Sequence, residues 1–133
     1  SVDLNQWPMW IAMTPDAKHF AACEDNLFIY GDIVKENENK YNLVKTVSPK
    51  ELHTDMPLQL KFCNFGNNGL KLISSSCNKS VEITSENLES EHAFNENNNS
   101  LHTYWVQDFL WSEKYGTLIT YGHDKQISRV MFD

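Results

Sequence analysis

The chain has 133 residues, of which 41% are hydrophobic and 12% aromatic, enough apolar material for one modest core and too much for a disordered segment. Its formal net charge of −7 opposes general attraction to a nucleic-acid backbone or an anionic membrane, both of which bind through clustered Lys and Arg. No run of about 18 apolar residues is present and the first residues lack the charged and apolar regions of a signal peptide, so an intracellular protein, cytoplasmic or nuclear, with no membrane association is expected.

In chain order, the first expected strand covers residues 10–13 and turns at 14–18, where Pro15 and Asp16 supply turn chemistry. The chain returns through 19–23, turns at Glu24, Asp25 and Asn26, and restarts with Leu27, Phe28, Ile29 and Tyr30, whose aromatic and β-branched content favours a strand. The polar segment 35–40 reads as an exposed loop before a fourth strand at 42–47. A second unit opens with the alternation Leu58-Gln59-Leu60-Lys61-Phe62, which puts Leu58, Leu60 and Phe62 on one face. Gly66 and Gly69 suit its first turn, strands at 70–75 and 80–84 follow, and a weakly marked fourth falls between 85 and 94. The third unit runs from 104 to 111, turns at 112–116, returns through 117–121 and restarts at 126–132, without an outermost strand. No helix of ordinary length fits this pattern.

One short pattern recurs three times. Leu72-Ile73-Ser74-Ser75-Ser76-Cys77-Asn78-Lys79 aligns with Leu118-Ile119-Thr120-Tyr121-Gly122-His123-Asp124-Lys125, and Phe20-Ala21-Ala22-Cys23-Glu24-Asp25-Asn26 matches both after losing one position. A small-residue strand that ends in a carboxylate or amide turn and restarts with a β-rich run is a hairpin, and its recurrence makes the hairpin a structural unit. Equivalent turn residues lie 53 apart from Asp25 to Asn78 and 46 apart from Asn78 to Asp124, near the ~40–45 residues of a propeller blade with loop insertions.

Over nearly its whole length the chain therefore resembles the WD-repeat β-propeller family. That resemblance implies an all-β fold: a β-propeller segment of about three four-stranded antiparallel blades, approximately residues 7–50, 51–100 and 101–133, in an incomplete ring. In that family a His before the innermost strand hydrogen-bonds the Asp of a later tight turn. Here His53 precedes Asn78 by 25 residues and His102 precedes Asp124 by 22, each His followed by Thr (Thr54, Thr103). The Trp-Asp dipeptide that names the repeat is absent, Asn78 replaces Asp, and Asp3 stands where the first unit would carry its His, so the full staple is expected in the third unit alone. Three blades do not close a ring, since propellers typically have about four to eight. The remaining blades are expected from the rest of a longer polypeptide, or else from a partner chain.

The five histidines show no metal or catalytic spacing, and no His-Glu-x-x-His, Cys-x-x-Cys or glycine-rich phosphate loop occurs. Cys23, Cys63 and Cys77 are odd in number and far apart, so they read as buried thiols rather than a disulfide framework or zinc site, and no cofactor is expected. Asn-x-Ser patterns at Asn78 and Asn98 follow by chance from the 14 asparagines. Asp25 and Asp124, as equivalent turn residues of separate blades, are too far apart for paired acid–base chemistry, and each is claimed by its own turn backbone.

What remains is a surface. The loops and turns at one end of the blades carry Trp7, Glu24, His53, Cys77, His123 and Lys125, a candidate face for other protein subunits or peptides. Tyr104, Trp105 and Trp111 belong either to that platform or to packing between blades, and the alternation of Trp105, Phe109 and Trp111 favours packing. The resemblance implies a noncatalytic interaction scaffold within a multi-subunit assembly. The alternative is an accessory subunit of an RNA-modifying or RNA-processing complex, for which Lys35, Lys40, Lys45 and Lys50 give the best basic stripe. Glu36, Glu38 and Glu51 interrupt it, so direct contact with nucleic acid is not expected.

Overall fold

The computed structural model describes residues 8–24, 27–33, 41–47, 57–86, 88–95 and 98–132. Within them eleven strands fall into three antiparallel sheets, taken strictly in chain order. The first sheet is β1 (Pro8–Met13), β2 (His19–Glu24), β3 (Leu27–Ile33) and β4 (Tyr41–Val47). The second is β5 (Pro57–Asn64), β6 (Leu70–Ser76), β7 (Val81–Ser85) and β8 (Ser90–Phe94), and the third is β9 (Val106–Ser112), β10 (Thr117–Gly122) and β11 (Ile127–Met131). Every strand pairs only with its neighbours in sequence, so each sheet is a simple meander. The weakly marked fourth strand of the second unit is present as β8, and the third sheet has three strands among the described residues.

The repeat is more regular than the turn residues suggest. The first strands of the sheets begin at residues 8, 57 and 106, a spacing of 49 both times (8 to 57, 57 to 106). Each also carries a β-bulge at the same point. Pairing against the second strand passes from Pro8 to Trp10, from Pro57 to Gln59 and from Val106 to Asp108. The skipped residues Met9, Leu58 and Gln107 share the same period. A bulge sharpens the local twist and bends the strand, so the same bend is imposed on the first strand of every sheet.

The bulge corrects one reading. Leu60 and Phe62 pack on a common face as the alternation requires, but Leu58 is the inserted residue and belongs to neither core cluster. One extra residue resets the two-residue period that the sequence pattern assumes.

The sheets stack face to face, and the two cores lie between them. Ala21, Cys23, Phe28 and Tyr30 of the first sheet meet Leu60 and Leu72 of the second together with Leu88. Cys63, Ile73, Val81 and Ile83 of the second meet Val106, Phe109 and Leu118 of the third. Leu72 and Ile73 are adjacent in β6 and serve opposite cores, because successive side chains of a strand point to opposite faces. The middle sheet is thus buried on both sides, which explains the unbroken run of buried residues from Leu72 to Ser76.

Polar clamps tie the first strands together across each junction. The Trp10 indole Nε1 donates to the Pro57 carbonyl at 3.2 Å and that of Trp111 to the Asn64 carbonyl at 2.7 Å. Lys61 Nζ donates to Asp108 Oδ1 and to the Phe109 carbonyl, both at 3.1 Å. Three meanders packed in series with their first strands side by side form a β-propeller segment, and the three sheets do not close into a ring.

Candidate functional site

The ends of β6 and β10 are closed by three-residue turns. Ser76 N–H donates to the Ser80 carbonyl at 3.1 Å and Gly122 N–H to the Gln126 carbonyl at 3.2 Å. The third turn residue takes the left-handed conformation in both, at Lys79 (φ 73°) and Lys125 (φ 65°), as such loops require. In the first sheet Glu24 pairs directly with Leu27, so β2 and β3 come together one residue sooner than the strands of the other two hairpins. That is the position the first unit loses in the sequence alignment.

In the third sheet the turn is stapled. His102 Nδ1 lies 3.0 Å from Asp124 Oδ1 and 3.2 Å from Oδ2. A carboxylate only accepts, so the imidazole donates from Nδ1, and its Nε2 pairs with the Thr120 hydroxyl at 2.7 Å. Asp124 also accepts from the Thr103 N–H at 2.9 Å and the Gln126 N–H at 3.0 Å. Burial pushes this carboxyl up, but the bonds from Thr103, His102 and Gln126 outweigh that and hold it below the usual carboxylate range. His102 is 2% exposed, so the network is sealed into the junction between the loop before β9 and the turn after β10.

Thr120 and Gly122 complete this network and were not singled out from the sequence. The hydroxyl had a signal: Thr120 aligns with Ser74, so two units keep an alcohol at one strand position. Gly122 had none, because its requirement is spatial. A Cβ there would lie 2.5 Å from His102 Nδ1 and 2.7 Å from Asp124 Oδ1.

The second unit closes its turn differently. Asn78 Oδ1 accepts from the Ser76 and Ser80 hydroxyls, and the Asn78 N–H donates to Ser76 Oγ at 3.3 Å. The turn is organised by neighbouring serines, and the expected partner His53, with Thr54, lies outside the described residues. Asp3, Trp7, Asp25, Lys35, Lys40 and Lys50 also fall outside them, and Glu24 and Lys45 are described in their backbone only.

Cys77 is buried, as expected of the three thiols, and is not part of the turn-face surface: it is 7% exposed, packed like Cys23 and Cys63 as a small hydrophobe. Burial pushes the Cys23 and Cys63 thiols up to about 12, so neither is a thiolate nucleophile near neutral pH. Among the described residues no three of His, Cys, Asp and Glu converge as metal ligands.

Around the staple, the structure gathers an exposed cluster. The His123 N–H donates to the Trp105 carbonyl at 2.8 Å, and His123 Nε2 meets Gln107 Oε1 at 2.5 Å. The Tyr104 and Trp105 rings stack with centroids 5.7 Å apart, and His123 lies 6.3 Å and 5.4 Å from them. Tyr104 is 51% exposed and Trp105 39%, while His123 and Lys125 are open to solvent. Phe109 and Trp111 pack in the second core, whereas Trp105 precedes β9, with the bulge at Gln107 between it and Phe109.

No protein-family model matches the chain, and no curated protein does either. Solved structures do match. The crystal structure of BBS1N in complex with ARL6DN, soaked with lead, superposes with a TM-score of 0.74 at 13% identity, covering 99% of this chain and 36% of that one. The mercury-soaked crystal of the same complex gives 0.73 with the same identity and coverage. The chain thus spans about a third of the length of the neighbours it matches. Likeness at this identity shows the fold, and the fold is a β-propeller segment.

Proposed function

We propose that this chain is a noncatalytic interaction module of a multi-subunit assembly, a divergent WD-repeat segment that docks protein or peptide partners on the turn face of its third sheet. The observation that carries the reading is the exposed cluster of Tyr104, Trp105, His123 and Lys125 on a backbone locked by the buried His102–Asp124 network. Aromatic side chains presented on a rigid frame gain contact area at little cost in conformational entropy. Further support comes from the solved neighbour, a protein of this fold bound to another protein.

The open faces of the segment fit the same reading. On the third sheet Leu110 pairs with Ile119, Tyr121 with Ile127 and Thr117 with Met131, and Leu110, Tyr121, Ile127 and Met131 are all more than half exposed. Ile11 and Met13 are similarly bare on the first sheet. In the middle sheet both faces are covered by a neighbouring sheet, so these two faces are where further blades, from the same chain or another, would pack.

The test is site-specific photo-crosslinking from position 123, with position 115 at the opposite end of the third sheet as control. Protein adducts from 123 that are absent from 115, and unchanged by salt, are the expected result. Adducts of equal yield from both positions, or RNA adducts that vanish steeply with added salt, would overturn it.

A further inference from the structure

We infer that the ledge formed by Tyr104, Trp105 and His123 is a seat for an arginine guanidinium presented by a protein partner; the inference rests on the turn-face reading above and specifies its chemistry. Three observations lead to it. First, the rings are arranged as steps rather than as a closed pocket: Tyr104 and Trp105 are inclined by 17°, Tyr104 and His123 by 30°, and Trp105 and His123 by 46°. Near-parallel exposed rings offer flat π faces, and a flat cation stacks on such a surface with more contact than a compact ammonium.

Second, the ledge serves no visible packing need. None of its three residues belongs to either core cluster, yet Tyr104 and Trp105 keep about half and more than a third of their surface in water. At the other end of the third sheet the exposed Tyr115 ring is matched by the chain's own cation, Lys114 Nζ lying 5.2 Å from its centroid. Among the described residues no Lys or Arg of the chain covers Tyr104 or Trp105 in this way.

Third, the site is prepared in advance. Thr103 N–H is held by Asp124, the Trp105 carbonyl accepts the His123 N–H, and the His123 ring is fixed by Gln107. An incoming group therefore has little left to order. The Asp124 carboxylate beneath the loop stays ionised through its hydrogen bonds, and the chain as a whole carries −7, so the long-range field favours a cation.

The test titrates the whole chain, 15N-labelled on its indoles, with three Gly-Ser peptides that differ only in a central arginine, citrulline or lysine. Citrulline keeps the shape of arginine without the charge. The arginine peptide is expected to bind about five-fold more tightly than the citrulline peptide, as for a partly exposed cation–π contact, and to move the Trp105 indole resonance. Trp105→Phe keeps a π face and should retain the preference; Trp105→Leu should lose it, with the thermal unfolding midpoint unchanged in both. Equal binding of arginine and citrulline, or a preference that survives Trp105→Leu, overturns the inference even if crosslinking from position 123 still captures protein. Tighter binding of lysine than arginine overturns the planar fit. An arginine preference without any crosslinked protein would instead overturn the assembly reading.

Discussion

Gly122 lies directly beneath the imidazole of His102, so that any side-chain carbon at 122 would stand 2.5 Å from Nδ1. The staple and the glycine are one device: the ring reaches Asp124 because β10 presents bare backbone at this point. Gly122→Ala should therefore push His102 off Asp124 and cost about 1–3 kcal/mol, as over-packing of a tight site does. Chemical denaturation of the variant measures it. A loss below about 0.5 kcal/mol would mean that the loop carrying His102 moves freely.

Asp124 gives the acid side of the stability profile. Its carboxyl is held below the ordinary range in the folded chain, so the folded state binds its proton less readily than the unfolded one. The stabilisation is present above the unfolded value of about 4 and is lost as pH falls through the folded value. Asp124→Asn should flatten the decline below about pH 4 while lowering stability at neutral pH. Urea midpoints measured from pH 3 to 7 (roughly the window in question) would show both effects.

Glu82 works with the opposite sign. It is 4% exposed on the face of β7 that turns toward the first sheet, and it accepts from the Ser90 hydroxyl at 2.9 Å. Burial pushes its carboxyl from 4.5 to about 7, partly offset by that bond. The folded state then holds the proton more tightly than the unfolded one. Stability is full below the unfolded value, falls as pH rises and is lost once pH passes the folded value, by ~3 kcal/mol in total. Glu82→Gln should remove the decline and stabilise the protein at pH 8; a Gln variant with an unchanged alkaline slope would show that another group is responsible.

Trp111 joins the second and third sheets in two ways. It donates to the Asn64 carbonyl and stacks on Phe65 with centroids 4.0 Å apart and planes within 9°. Trp111→Phe keeps the stack and loses one hydrogen bond, an expected cost of about 1 kcal/mol. Trp111→Ala loses both and opens a void, an expected cost of about 2–4 kcal/mol. Thermal unfolding of the pair separates the two contributions, and equal losses would show that the stack contributes nothing.

Much of the fold was legible in the sequence because it is local. Each strand pairs with its neighbour in the chain, so turn chemistry at residues 14–18, 66–69 and 112–116 and the repeated hairpin pattern locate the strands without any long-range knowledge. The pairing of His102 with Asp124 was expected only through the resemblance to WD-repeat propellers, in which a His before the innermost strand bonds the Asp of a later turn of the same repeat. Tertiary structure alone decided three things: that bulges at Met9, Leu58 and Gln107 reset the alternation, that Trp105 stays out of the core, and that Gly122 must lack a side chain. A bulge inserts one residue and shifts the two-residue period, and no residue type in the pattern announces where it falls. Exposure of an aromatic side chain and clearance beneath a ring depend on which surfaces meet, and that is set by how whole sheets stack.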